Sequence, residues 1–246
     1  MVGQLLVVAA TLLMIVLNGL AATGVLGGVN TAEVSARNPT VITPPSYAFA
    51  VWSVIYLGML AFTLVQALPS RRAALAAIRL PYVVSCAANA LWLWLWALEQ
   101  LLWCQVAITV LLVALLVVNV RVREATNLAD AALVRLPFGL YAGWVTAATL
   151  LNLAILAASL GASFLRDPLE PSAPWIACML MLGLGAAGVF GSHRLRNPAY
   201  ALGIAWATFT ISRGHADKPA IHFGAAAACA ACLLAAVWTA LRRLRR

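Results

Sequence analysis

Pro44-Pro45-Ser46-Tyr47-Ala48-Phe49-Ala50-Val51-Trp52-Ser53-Val54-Ile55-Tyr56 is the stretch on which the reading of this chain turns. The paired prolines fix φ and push the residue before each toward extended backbone, so no helix runs through them. From Tyr47 the sequence stays apolar to Leu68 without a charge, long enough to cross the roughly 30 Å of hydrocarbon in a bilayer. Phe49, Trp52 and Tyr56 follow one another at steps of three and four, which on a helix places all three rings on one face. The stretch therefore reads as a loop feeding a membrane helix with an aromatic strip.

The rest of the chain agrees with that solvent. Of 246 residues, 64% are hydrophobic and 9% charged, against about 25% charged in a soluble domain. A water-soluble globule is excluded, and so is a disordered chain, which could not stay solvated with this much apolar surface. The excess of 16 Lys and Arg over 7 Asp and Glu reads as membrane topology and not as nucleic-acid binding, because basic residues collect in cytoplasmic loops. Cys86, Cys104, Cys178, Cys229 and Cys232 all lie in apolar runs and are expected as free thiols. The Cys229-Ala230-Ala231-Cys232 pair lacks the strand context of a redox motif.

Cutting at charges, prolines and glycine clusters leaves eight segments, 4–23, 47–68, 80–98, 101–120, 136–159, 174–191, 198–212 and 220–241, the seventh being short. The fold class predicted is all-α, a polytopic bundle of about eight transmembrane helices. No basic residue precedes the first segment, so it is expected to stay as a helix and not to be a signal peptide. Alternate loops then carry Arg71, Arg72, Arg79, Arg121, Arg123, Arg135, Arg194, Arg196, Arg242, Arg243, Arg245 and Arg246 on one side, and Arg37, Arg166, Arg213 and Lys218 on the other. Twelve against four places both termini in the cytoplasm, with a bacterial inner membrane as the expected location. No charge falls inside a span, which argues against an ion-coupled pump.

Two further helix faces join aromatic rings to an amide. Asn89, Trp92 and Trp96 share a face of the third segment while Trp94 points elsewhere; Tyr141, Trp144, Ala148 and Asn152 share a face of the fifth. An amide in a bilayer must find a partner, so Asn89 and Asn152 are expected to face protein or a ligand. Flat rings with a few polar handles suit a planar hydrophobic molecule.

These residues resemble the TspO/MBR family of tryptophan-rich sensory or translocator proteins. Residues Pro44 to Tyr56 are similar to its Pro-Pro-to-Val-Trp-to-Tyr signature, Asn89-Ala90-Leu91-Trp92 with Trp103 to its third and fourth helices, and Trp144-Val145-Thr146-Ala147-Ala148-Thr149-Leu150-Leu151-Asn152 to its fifth. The resemblance covers about residues 1–160 and implies a five-helix bundle that binds porphyrins, haem-related tetrapyrroles, sterols or similar ligands. It implies that Trp52, Trp103, Trp144 and Asn152 line the site and that the loop around Thr40 to Pro45 is its lid. The ligand set expected is Pro44, Pro45, Phe49, Trp52, Tyr56, Asn89, Trp92, Trp103, Tyr141, Trp144 and Asn152.

The chain also departs from that pattern. The loop tryptophans tied to porphyrin breakdown are replaced by Glu33-Val34-Ser35-Ala36-Arg37 and Val41-Ile42-Thr43, the spacing from Pro45 to Trp52 is one residue shorter than usual, and Ala107 stands where an acidic residue is common. No enzymatic role, catalytic residue, metal or required cofactor is expected. Residues 172–246 add a three-helix region to the five-helix unit at 1–160. Gly183, Gly185, Gly188 and Gly191 form a small-residue strip there; the first three spell a dinucleotide-like fingerprint, but on a membrane segment the strip reads as close helix packing. His215, Asp217 and His222 read as a polar loop with no zinc spacing.

The function expected is a membrane sensory or binding protein holding a planar hydrophobic, porphyrin-like ligand between its second and fifth spans. A facilitator of transport and a structural subunit are the alternatives. Expected partners are the lipid bilayer and that small molecule, without nucleic acid, and either a homodimer or a larger membrane complex is compatible with the sequence.

Overall fold

The computed structural model describes residues 2–25, 28–123, 128–167 and 169–244, and every regular element among them is helical. In order these are α1 (Val2–Ala22), α2 (Thr31–Arg37), a 3₁₀ turn (Ser46–Ala50) that runs into α3 (Val51–Ala67), α4 (Ala76–Ala97) and α5 (Leu101–Val122). The one-turn α6 (Leu128–Asp130) passes through a π-helical turn (Ala131–Arg135) into α7 (Leu136–Ser159), followed by α8 (Ala173–Arg194), α9 (Pro198–Gly214) and α10 (Pro219–Leu244).

Among the described residues, seven helices are long and apolar enough to cross a membrane. The seventh of the eight segments expected from sequence is α9, which has 17 residues and rises only about 25 Å. Its shortness is tolerated because it is enclosed by protein: α9 packs on α7, α8 and α10 and buries Ala201, Ile204, Ala205, Ala207 and Ile211. Asn197 starts it by accepting a hydrogen bond from Ala199 N at 3.2 Å, with Pro198 at the first helical position, where its missing N–H has no intrahelical partner to lose.

Five helices close a ring. α1 packs against α3 and α4, α4 against α5, α5 against α7, and α7 back against α3. The three C-terminal helices attach to this ring through α7, where two glycines let backbones touch. A Cβ on Gly143 would lie 2.0 Å from the Tyr200 carbonyl oxygen, and one on Gly203 2.6 Å from that of Leu140.

The basic loops meet at one end of the bundle. Arg71 pairs with Asp130 at 2.8 Å, Arg79 donates to Gln66 Oε1 at 3.4 Å, Arg121 to the Ala77 carbonyl, buried Arg135 to the Arg196 carbonyl, and Arg243 to the Arg123 carbonyl at 2.8 Å. Arg245 and Arg246, counted with that side, lie outside the described residues.

Candidate functional site

The aromatic faces of α3, α4 and α7 converge inside the ring, and Trp52 is their hub. Its ring stacks on Tyr56 (centroids 5.4 Å apart, planes at 15°) and lies 6.1 Å from Trp92, 5.8 Å from Tyr141 and 6.2 Å from Trp144, the last two edge-on. Phe49 meets Trp144 edge-on at 6.2 Å, and Trp92 stacks on Trp96 at 5.8 Å. Each such pair is worth about 0.5–1.5 kcal/mol beyond area burial, so the cluster holds three helices in register as well as lining a site.

Amides tie the cluster together. Trp92 Nε1 donates to Asn152 Oδ1 at 3.2 Å, and Asn152 Nδ2 donates to the Ala148 carbonyl at 3.1 Å. One layer deeper, Asn18 Nδ2 donates to Asn89 Oδ1 at 2.7 Å while the Tyr56 hydroxyl donates to Asn18 Oδ1. Trp144 is 1% exposed, yet its Nε1 has no hydrogen-bond partner, and neither has Asn89 Nδ2. A buried donor left unmade costs about 1–3 kcal/mol.

Between these groups lies a small cavity of about 20 Å³, lined by Ser35, Phe49, Trp52, Trp92, Trp96, Trp144, Ala148, Leu151, Asn152 and Ile155. That is room for a single water, where pockets for organic ligands run to about 300–1,000 Å³. The walls fill their own site.

The loop between α1 and α3 is the cover. Asn30 caps α2, accepting from Ala32 N and Glu33 N at 3.0 Å, while Glu33 accepts from Asn30 N in return. Its own Val34, Val41 and Ile42 are buried. It is held at several points: Arg37 lies 3.6 Å from Glu99, Asn38 Nδ2 donates to Glu99 at 3.1 Å, Trp96 Nε1 to the Thr31 carbonyl at 3.1 Å, and Val41 N to the Leu165 carbonyl at 2.8 Å. From α9, Trp206 Nε1 donates to the Ala48 carbonyl at 2.8 Å and its ring meets Tyr47 edge-on at 6.4 Å. Pro45 abuts Gly214, whose added Cβ would lie 3.0 Å from the proline Cδ.

Of the residues expected at the site, Phe49, Trp52, Trp92, Trp144 and Asn152 line the cavity. Tyr56 and Tyr141 back it through Trp52, and Asn89 through Asn18. Pro44 is buried and Pro45 half-buried in the cover, neither on the cavity wall. Trp103 does not join: it is 59% exposed. The inward face of α5 is Cys104, Ala107, Ile108 and Leu111, and one residue turns a helix by about 100°, which swings Trp103 outward. Ser35, Trp96, Asn18 and Trp206 were not in the expected set. Asn18 carried the same signal as Asn89, an amide in an apolar span; Ser35 and Trp206 carried none.

Of the glycine strip expected to pack closely, Gly183 meets nothing within 4 Å of an added Cβ. Gly185, Gly188 and Gly191 face Ala228, Cys232 and Tyr200 at contact distance; His215 Nδ1 lies 3.0 Å from the Ile211 carbonyl and His222 Nδ1 3.0 Å from that of Ser212. A family model described as TSPO-like protein matches residues 4–238, and so runs on through α8, α9 and most of α10. No curated protein and no solved structure matches the chain.

Proposed function

The chain belongs to the TSPO-like family, and from that premise we propose that it is an integral membrane binding or sensory protein that takes a planar hydrophobic ligand, of porphyrin type, into the aromatic site between α3, α4 and α7. The observation that carries the reading is the convergence of Trp52, Trp92, Trp96 and Trp144 on one covered cavity, with a buried indole N–H left unpartnered. A flat ring inserted among them would exchange tryptophan–tryptophan contacts for ligand stacking, and the Trp144 N–H would gain an acceptor. Apolar surface gains little on leaving lipid, so stacking and that donor supply the selectivity. The lining is mostly aromatic and aliphatic, with Ser35 and Asn152 among it, which suits an apolar ligand with a few polar handles. Both termini are proposed to face the cytoplasm.

Titration of the detergent-solubilised full-length protein with protoporphyrin, followed by tryptophan fluorescence, tests this. Saturable quenching is expected, weakened about tenfold or more by Trp52→Ala, where a stacking hub is lost, and several-fold by Trp144→Phe, which keeps a ring but removes the donor. Unchanged affinity in both variants would place the ligand elsewhere.

A further inference from the structure

A ligand-sized groove, sharing no residue with the aromatic cavity, lies on the outer face of α8 and α10. These helices run parallel, since Gly185 meets Ala228 and, one turn on, Gly188 meets Cys232. A Cβ on Gly185 would lie 2.9 Å from the Ala228 Cα, so the backbones nearly touch and nothing large stands over the seam. Ala186, Ala227 and Ala231 continue the floor outward, and a groove results in two stretches of about 540 and 530 Å³ that share Val189, Ala231 and His193. From Ala227 to Leu241 the groove follows α10 for about 21 Å, rather more than one leaflet of a 30 Å hydrocarbon core.

At the basic end two of the lining rings, Phe190 and Trp238, each carry an arginine. The Arg242 guanidinium sits 4.5 Å from the Trp238 ring centroid and that of Arg194 5.7 Å from Phe190, with both rings more than half exposed. Ion pairs among the described residues include Arg37–Glu99 and Arg71–Asp130. Neither groove arginine takes part in one.

We propose that this groove binds one anionic phospholipid, an acyl chain lying on the alanine floor and the phosphate held between Arg194 and Arg242, with His193 at the mouth. Charge complementarity selects this occupant. An apolar trough facing lipid is filled by a chain or by another helix, and a second copy of this protein, related by a twofold axis along the membrane normal, would bring four arginines together at one end. A zwitterionic headgroup would carry no net charge to answer them.

Native mass spectrometry of the full-length protein, released from detergent after addition of equimolar phosphatidylglycerol and phosphatidylcholine, tests the proposal. One phosphatidylglycerol is expected to be retained with about tenfold preference, the scale of one to two arginines acting on an anionic lipid. The pair Arg194→Gln and Arg242→Gln should reduce that preference to about onefold. Ala186→Phe, which fills the groove from the exposed part of its floor, off the Gly185–Ala228 contact, should abolish retention with the melting temperature unchanged. Equal retention of the two lipids by the native protein, an unchanged preference in the double variant, or a dimer mass that Ala186→Phe dissociates would each overturn it.

Discussion

At the scale of single residues, the buried amides divide into structural and available ones. Asn152 spends both ends of its side chain, accepting from Trp92 and donating to Ala148. Asn152→Ala leaves the Trp92 N–H, on a residue 2% exposed, with no partner and opens a gap beside it. A loss of about 2–4 kcal/mol is expected, combining an unmade buried hydrogen bond with a small cavity, read as a lowered midpoint of unfolding in mixed micelles. The rule used in reading the sequence, that an amide in a span must face protein, picked out Asn89 and Asn152 correctly as buried and applies equally to Asn18 and Asn119, both buried with side-chain partners. It says nothing about which partner is found. Trp103 marks the other limit: a tryptophan at a span end serves the interface as readily as a site, and only the packing of α5 decides.

At the scale of elements, α9 connects the C-terminal helices to the site. It touches α7 backbone to backbone beside Trp144, through Gly143 and Gly203, and grips the 3₁₀ turn that aims Phe49 and Trp52. Trp206→Phe removes the bond to the Ala48 carbonyl while keeping a ring against Tyr47. Faster ligand release, by about three- to tenfold and with little change in melting temperature, is expected in stopped-flow quenching, since one hydrogen bond is worth about 0.5–1.5 kcal/mol. The far end of α9 carries a pH dependence. Burial holds the His215 imidazole below its ordinary value of 6.5; the Ile211 carbonyl and Asp217 oppose this and Lys218 adds to it. The unfolded chain therefore takes up this proton first as pH falls, so the contribution of neutral His215 is complete above about 6.5 and is lost below it. Melting curves between pH 7.5 and 5 should fall toward acid, and His215→Gln should flatten that fall. The short α9 and its role at the cover were the least legible part of the sequence, because a helix shielded by neighbours needs neither the length nor the apolar periodicity that identifies a span.

At the scale of the whole molecule, the seven long helices, the basic end and the aromatic faces were all legible, since each follows from local composition or from steps of three and four. What was not legible was the closed state: sequence spacing brings Trp52, Trp92 and Trp144 to one place but cannot tell that they leave only about 20 Å³ among them. A site that fills itself must open before it binds, and a ligand pays for that opening out of its own affinity. If the proposed ligand enters there, the cover sets the rate. Its most exposed fastening is Glu99, which meets Arg37 and Asn38 at the turn between α4 and α5, with φ of 52°. An ion pair this exposed contributes at most about 1 kcal/mol, so Glu99→Gln should leave the melting temperature nearly unchanged. It should nevertheless speed opening. The observed rate of protoporphyrin quenching is expected to level off as ligand concentration rises, at a plateau set by opening, and Glu99→Gln should raise that plateau about two- to fivefold, within the range one such contact allows. A rate that climbs linearly without limit, identical in native protein and variant, would mean that the cavity admits its ligand without moving the cover.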